Sequence, residues 1–207
     1  MPSPSVDPAE PADPALAPAD VDELFALADA SIMSGLRGRG PRLPDPAALP
    51  DALRRPVKAF VTLTVDGALN GCIGGIEGDE PLGAAVAHHA WSAAFTDPRL
   101  PPLRADQHDR MLIEISLLSP VEPLPAGSRE EVLARLRPHT DGLVIAYASR
   151  RGLFLPAVWE QLADPAEFLD HLLRKAGLPA RGWPAGITAS RFTATRYARR
   201  ACSPSAA

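Results

Sequence analysis

The chain has 207 residues, of which 46% are hydrophobic and 22% charged, and its formal net charge is -4. This length can bury one good core or two small lobes, and the composition is that of an ordinary soluble globular protein. Because the 25 acidic residues outnumber the 21 lysines and arginines, no excess of cations favours DNA or an anionic membrane.

The two ends of the chain differ in composition from the middle. Residues 1–19 are rich in Pro, Ala and Asp and offer almost nothing to bury, so we expect disorder there and again over residues 199–207. The folded domain is predicted to span residues 20–198. Cys202 lies in the C-terminal tail, so no structural disulfide to Cys72 is expected. With no secretory signal pattern and no apolar run of eighteen residues, the sequence predicts a cytoplasmic protein without a membrane span.

Helices are indicated by capping residues followed by apolar residues at helical spacing. The first begins at Asp20, where Glu23 is placed to complete a capping box. Ser128 with Glu131 repeats this signature, and Asp164 precedes a proline at the first helical position. The predicted helices cover residues 20–36, 81–95, 128–136 and 164–176, with a short helical turn at 105–109.

Strands are indicated by alternating or continuous apolar runs between turn residues. Asp66-Gly67 is a strong hairpin signal between the first two. The predicted strands cover residues 58–65, 68–73, 111–119, 142–148, 152–155 and 187–196. Because strands and helices are interspersed without a regular βαβ rhythm, the predicted fold class is α+β, a mixed sheet with hairpins and packed helices.

Cys72 is the first candidate for chemistry, because it is the only cysteine inside the predicted domain and glycines surround it in the segment Gly67–Gly74. Strict alternation places Leu69 and Gly71 on one side of the strand, and Asn70 and Cys72 on the other. The glycines leave the thiol accessible, and a nearby cation or base would make it nucleophilic. The alternative interpretation is a small buried hydrophobe.

Asp97 and Arg99 flank Pro98 in a loop that two further prolines stiffen. In the functional interpretation, Arg99 donates two hydrogen bonds to a carboxylate or phosphate of a ligand, and Asp97 orients the Arg99 side chain. In the structural interpretation, Asp97 caps the loop and Arg99 pairs with an acid to hold the fold together.

Glu114 is the third candidate, because it interrupts an apolar strand. Alternation places it on one face with Leu112, Ser116 and Leu118, and leaves the burial of that face open. If Glu114 points inward, it must be paired or its pKa must rise, which makes it a candidate general base or the partner of Arg99. If it points outward, it is part of a solvated face.

The histidines show no metal-binding pattern. His88 and His89 are adjacent on a predicted helix and diverge by about 100°, so they cannot readily bind one metal ion together. One of them could serve as a base for Cys72, or His89 could simply pack while His88 is solvated. No further histidine or cysteine stands at ligand spacing, so we predict neither a metal nor a cofactor.

Several segments occur in the order and spacing typical of one protein family. They are GALNGCIG, AAFTDPRLPPL, EISLLSP, DGLVI, FLPAVWEQ and LLRKAGL, and they cover roughly residues 20–197. The sequence thereby resembles the AMMECR-one domain family, which includes the AmmeMemoRadiSam system protein A type. The resemblance implies one α+β unit with two unequal lobes around an interlobe cleft. The family usually carries Arg where this chain has Asn70, which puts an anion site built on that Arg in doubt.

The biochemical activity of this family is not established. The resemblance implies a component of a modification system, with a Memo-type protein and a radical SAM enzyme as partners. Our leading hypothesis is a protein that binds a small molecule or substrate group in a cleft around Cys72, with Cys72 and Glu114 as catalytic candidates. The candidate ligand-binding residues are Asn70, Gly71, Gly74, Asp97 and Arg99. The alternatives are a non-catalytic adaptor that docks a partner enzyme, and an RNA-modification accessory protein.

Overall fold

The structure is a computed structural model that describes residues 15–201. The described chain divides into two compact units. The N-terminal unit contains residues 15–118 and 195–201, and the central unit contains residues 119–194. Most of each segment predicted to be disordered, residues 1–14 and 202–207, lies outside the described residues.

Five α-helices and eight strands form within residues 15–201. The helices are α1 (Pro18–Leu36), α2 (Asp51–Arg54), α3 (Leu82–Phe95), α4 (Arg129–Arg135) and α5 (Pro165–Lys175). The strands are β1 (Ala59–Val65), β2 (Ala68–Gly74), β3 (Met111–Leu118), β4 (Glu122–Leu124), β5 (Gly142–Tyr147), β6 (Arg150–Phe154), β7 (Thr188–Phe192) and β8 (Ala194–Arg200). Together with the two sheets described next, they confirm the predicted α+β class.

The N-terminal unit contains a four-stranded sheet of order β2-β1-β3-β8, so β2 is an edge strand. Along β1, side chains are alternately buried and half-buried, as expected when only one face meets a core. Val61 and Leu63 are fully buried with apolar residues of α1 and α3, and we call this side the helix-side face. Thr62 and Thr64 lie on the other side, the second face.

The β1–β2 hairpin turns at Asp66-Gly67, as predicted. Both residues have positive φ angles, 51° and 83°, which is the requirement of a type I′ turn. The register then shifts, because Thr64 pairs with Leu69 but Leu63 pairs with Gly71. Asn70 is the extra residue of a β-bulge. The predicted alternation was therefore wrong: Leu69 and Cys72 share the second face, and Asn70 is buried.

The central unit has its own antiparallel sheet, of order β4-β7-β5-β6, packed with α4 and α5. Trp159 stacks on Phe168 with ring centroids 3.8 Å apart at the centre of this core. The predicted caps of both helices are confirmed, because the side chains of Ser128 and Asp164 accept the N–H groups of Glu131 and Glu167.

The predicted strand over residues 187–196 proved to be two strands in different sheets. β7 pairs with β4 and β5, whereas β8 lies beside β3 in the N-terminal unit. β8 also continues to Arg200, past the predicted boundary at residue 198, because its inward side chains still have partners. Tyr197 accepts the N–H of Leu16 through its hydroxyl oxygen, and Arg199 lies over the ring of Phe25.

The first helix begins at Pro18 and not at Asp20. Its N-cap is Ala17, which makes no side-chain capping bond, so the predicted capping box is absent from α1. A proline at the first helical position needs no hydrogen-bond donor and presets φ, which explains the earlier start. None of the helices between residues 15 and 201 combines the length and apolar character that crossing a bilayer requires.

Candidate functional site

Asp97 is the centre of a hydrogen-bonded cluster in the loop that follows α3. Its side chain is only 2% exposed. It accepts the backbone N–H of Cys72 at 3.0 Å and that of Arg99 at 3.1 Å, and the Nε and Nη2 of Arg99 donate at 2.8 and 2.6 Å. These four bonds satisfy a carboxylate whose burial without them would be costly.

Arg99 links the same carboxylate to the other side of the cysteine backbone. Its Nη2 also donates to the carbonyl oxygen of Cys72 at 3.0 Å. The Asp97–Arg99 pair therefore holds both the N–H and the C=O of Cys72, and ties the loop to the edge strand β2. The Arg99 side chain is 59% exposed, and its Nη1 donates to no group within residues 15–201.

The two partners of this ion pair stabilise each other's charged form. Hydrogen bonds from the Arg99 side chain, helped by the backbone bonds from Cys72 and Arg99, hold the pKa of Asp97 far below its ordinary value against the opposing effect of burial. Asp97 in turn raises the pKa of Arg99. The pair stays ionised throughout the physiological pH range.

Cys72 is a half-buried residue whose side chain lies on the second face of the sheet. The hydroxyl of Thr62 donates to Sγ over 3.1 Å. Thr62 pairs with Cys72 on one side and with Glu114 on the other, so the three side chains form one row across β2, β1 and β3. Thr62 is a site residue that the sequence interpretation missed, since only the shifted register places it beside the thiol.

Glu114 belongs to this row but not to the ion pair. It is half-buried, and its carboxylate makes no hydrogen bond or ion pair in the described chain, so the sequence-based pairing of Glu114 with Arg99 is not observed. Two strand spacings of about 4.8 Å separate its backbone from that of Cys72, or about 9.6 Å in total. A ligand on this face could therefore touch the thiol and the carboxylate together.

The glycines around Cys72 have a packing role. A Cβ on Gly71 would lie 1.8 Å from the carbonyl oxygen of Ala93 in α3, and one on Gly74 would lie 2.4 Å from that of Ala59. Close approach of backbone to backbone therefore excludes any side chain at either position. Asn70 is 8% exposed, and its Nδ2 atom is buried without a hydrogen-bond partner.

No histidine donates to or accepts from the sulfur of Cys72 in the described structure, where the Sγ partner is Thr62. His89 lies on α3, which packs on the helix-side face; its Nδ1 is buried without a partner, and burial lowers its pKa. His108 is buried too, and bonds to Asp29 on α1. Among residues 15–201, no group of three or more His, Cys, Asp or Glu side chains is placed to hold a metal ion.

The fold and this cluster define a class: an α+β protein in which a buried Asp–Arg pair clamps the backbone of a glycine-flanked cysteine on an edge strand. The model of one family, AMMECR1, matches residues 25–197, and the chain belongs to that family. This confirms the resemblance found in the sequence motifs.

Relatives cover most of the chain. A protein of Methanothermobacter thermautotrophicus is 41% identical over 168 residues, which are 79% of this chain and 86% of its own. One from Methanocaldococcus jannaschii is 39% identical over 149 residues, 70% of this chain and 74% of its own. The crystal structure of an uncharacterized protein from Pyrococcus horikoshii shares the fold with a TM-score of 0.77 and 31% identity, over 86% of this chain and 90% of that one.

Proposed function

We propose that this protein is a component of a radical-SAM/Memo-associated modification system and that it binds a small molecule or substrate group at Cys72. The AMMECR1 membership supports the assignment to such a system. One observation carries the binding part: the buried Asp97 fixes the guanidinium of Arg99 beside Cys72 while leaving Nη1 unengaged.

The chemistry follows from the placement of the groups. An anionic group of the ligand binds Nη1 of Arg99, because a guanidinium held by one carboxylate can still donate to a second acceptor. The thiol of Cys72 then contacts the neighbouring atom of the ligand. Glu114 lies on the same sheet face without a partner and is free to accept a proton or a hydrogen bond from it.

We expect the purified wild-type protein to retain a small molecule and Cys72→Ser to lose it, because serine is close in size to cysteine but lacks the sulfur. The measurement is untargeted mass spectrometry of small molecules released on denaturation.

Arg99→Lys keeps the charge but loses the planar fork, and should lower the retained amount of the small molecule by about tenfold. Alkylation of wild-type Cys72 at neutral pH should be protected by the same small molecule.

An exposed aspartate that makes no contact with the cluster residues provides the matched control. Asp45→Asn alters a surface cap near α2 and should leave retention unchanged. Equal retention by wild type and Cys72→Ser would show that the thiol has no part in binding.

A second candidate function, an adaptor that docks a partner enzyme, is favoured by the apolar end of the same face. Leu69 is 48% exposed and Leu112 36%, and both pair with Thr64 in the row next to Cys72. Apolar side chains that lie side by side on an exposed sheet face can form a contiguous patch, and such patches mark contact surfaces. We expect Leu69→Asp to reduce co-purification with a Memo-type or radical SAM partner if the adaptor function is correct, whereas Cys72→Ser should not. Unchanged co-purification of Leu69→Asp would exclude this surface.

A further inference from the structure

We infer that the loop that follows α1 is a binding surface for single-stranded nucleic acid. This loop, residues 37–42, has the sequence RGRGPR, and we call it the basic loop. Its three arginines, Arg37, Arg39 and Arg42, are all exposed. None of its residues belongs to the Cys72 cluster, so the inference is independent of the proposed function.

The backbone of the basic loop is held in place by hydrogen bonds to α1. The N–H groups of Arg37 and Arg39 both donate to the carbonyl oxygen of Ser34, at 3.2 and 3.0 Å. The N–H of Arg42 donates to the hydroxyl oxygen of Ser31 at 3.1 Å. The loop therefore turns back along the last turns of the helix and presents its three arginines from one short, ordered segment.

The guanidinium groups of this ordered loop are left without partners. Arg37, Arg39 and Arg42 form no ion pair, and their side chains make no hydrogen bond, within residues 15–201. Glu23 and Asp45 line a surface cavity together with Arg42, but neither pairs with it. A guanidinium has five N–H donors and binds carboxylate or phosphate oxygens, so three unpaired groups on one loop fit a ligand with repeated negative charges.

Two glycines leave space for a chain-like ligand on the basic loop. A Cβ built on Gly38 or on Gly40 would meet no atom within 4 Å. Gly38 has a φ angle of 71°, which lets the backbone leave α1 in the left-handed conformation common at helix ends. A phosphodiester backbone can therefore approach the loop between its arginines without meeting a side chain.

Aromatic side chains of α3 lie beside the basic loop and favour nucleic acid over an acidic peptide. The indole Nε1 of Trp91 donates to the carbonyl oxygen of Arg39 at 3.0 Å, which fixes the ring next to the loop. The Phe95 ring lies 5.7 Å from it between centroids, and His88, three residues before Trp91 on the same side of the helix, is exposed. Proteins that bind single strands combine a cationic surface for the phosphates with aromatic rings on which bases stack.

The number of arginines sets the expected strength and salt dependence of binding. Three phosphate contacts to a single strand give a slope of about -2 for log K against log salt concentration, because each contact releases counterions. Raising the salt from 50 to 200 mM should therefore weaken binding roughly 16-fold. The net charge of -4 adds no attraction outside the loop, so we expect a Kd on the order of 0.1 mM at the lower salt.

The test measures binding of a fluorescein-labelled uridylate dodecamer to the full-length protein by fluorescence anisotropy at pH 8. Arg37→Gln combined with Arg39→Gln should weaken binding at least about tenfold and make the salt slope shallower by about 1.4. Adding Arg42→Gln should abolish saturable binding. His88→Ala should weaken binding about fivefold without changing the slope, because it removes a stacking ring and no phosphate contact.

Arg174→Gln is the matched control for the arginine variants. Arg174 is also an exposed arginine in the last turn of a helix, but it lies on α5 in the central unit, so its variant should bind the dodecamer as the wild type does. Thermal unfolding of each variant checks that it folds. A labelled glutamate dodecapeptide tests the competing ligand class and should bind more weakly than the dodecamer.

Three outcomes would overturn the inference. The first is that the uridylate dodecamer does not bind the wild type saturably. The second is that the triple arginine variant or His88→Ala binds the dodecamer like the wild type. The third is that the glutamate dodecapeptide binds as tightly as the dodecamer, which would assign the basic loop to an acidic protein segment.

Discussion

Gly71→Ala is expected to lower the free energy of unfolding by about 3 kcal/mol or more, because the added methyl group has no space. The new Cβ would lie 1.8 Å from the carbonyl oxygen of Ala93 and 2.7 Å from its carbonyl carbon. Both atoms belong to the backbone of α3, so relief requires moving the helix away from β2. Urea denaturation at neutral pH, analysed for midpoint and slope, measures the effect.

A second glycine serves as the matched control for the Gly71 prediction. Gly40 has no atom within 4 Å of a built Cβ and no positive φ, so Gly40→Ala should change the free energy of unfolding by no more than about 0.5 kcal/mol. If Gly71→Ala were as stable as Gly40→Ala, the close approach of β2 and α3 would not be what requires glycine. A destabilised Gly71→Ala would instead show that glycine is needed here for packing, whatever ligand the site holds.

The β1–β2 hairpin shows which structural features local sequence patterns predict and which they do not. Asp66-Gly67 correctly predicts the turn, and strict pairing from that turn would place Cys72 opposite Val61, on the helix-side face. The bulge at Asn70 moves Cys72 opposite Thr62, on the second face. Gly71 is the one local signal, because a glycine inside a strand often marks a bulge or a close approach of another backbone, but it does not fix which residue is the extra one. The bulge accompanies the tertiary approach of Gly71 to α3, which local propensity does not encode.

More of the Asp97–Arg99 loop could be predicted from sequence than of the hairpin. Its prolines restrict the backbone angles of the residues beside them and so limit the conformations of this short segment. The structure brings Asp97, Arg99 and Cys72 together, and the acid that pairs with Arg99 is Asp97 itself. The burial of Glu114 depends on what covers its sheet face, which alternation alone leaves open. The division of one apparent strand into β7 and β8 has the same cause, because apolar alternation does not specify which sheet a strand joins.

Asp97→Asn is expected to lower the free energy of unfolding at neutral pH by about 2–4 kcal/mol. The amide cannot match the four donors that the carboxylate accepts, and it removes a charge from a side chain that is 2% exposed. The loss should stay within this range because the Arg99 side chain is 59% exposed, and solvent screens its interaction with Asp97. Asp106→Asn is the matched control, because the Arg104–Asp106 pair has the same i, i+2 spacing but lies at the surface. This variant should have little effect on the free energy of unfolding.

The pH dependence of the Asp97→Asn effect identifies its electrostatic part. The folded-state pKa of Asp97 lies below its unfolded value, about 3.9, so the contribution is fully present above about pH 5 and is lost as the pH falls through the unfolded value toward the lowered folded-state pKa. Wild-type stability should therefore decline on acidification more steeply than that of Asp97→Asn, and the difference between the two should shrink between about pH 5 and pH 2.5. Urea denaturation across this range measures it. A difference that stays constant would assign the loss to hydrogen-bond geometry alone and would contradict a charge-stabilised clamp on the backbone of Cys72.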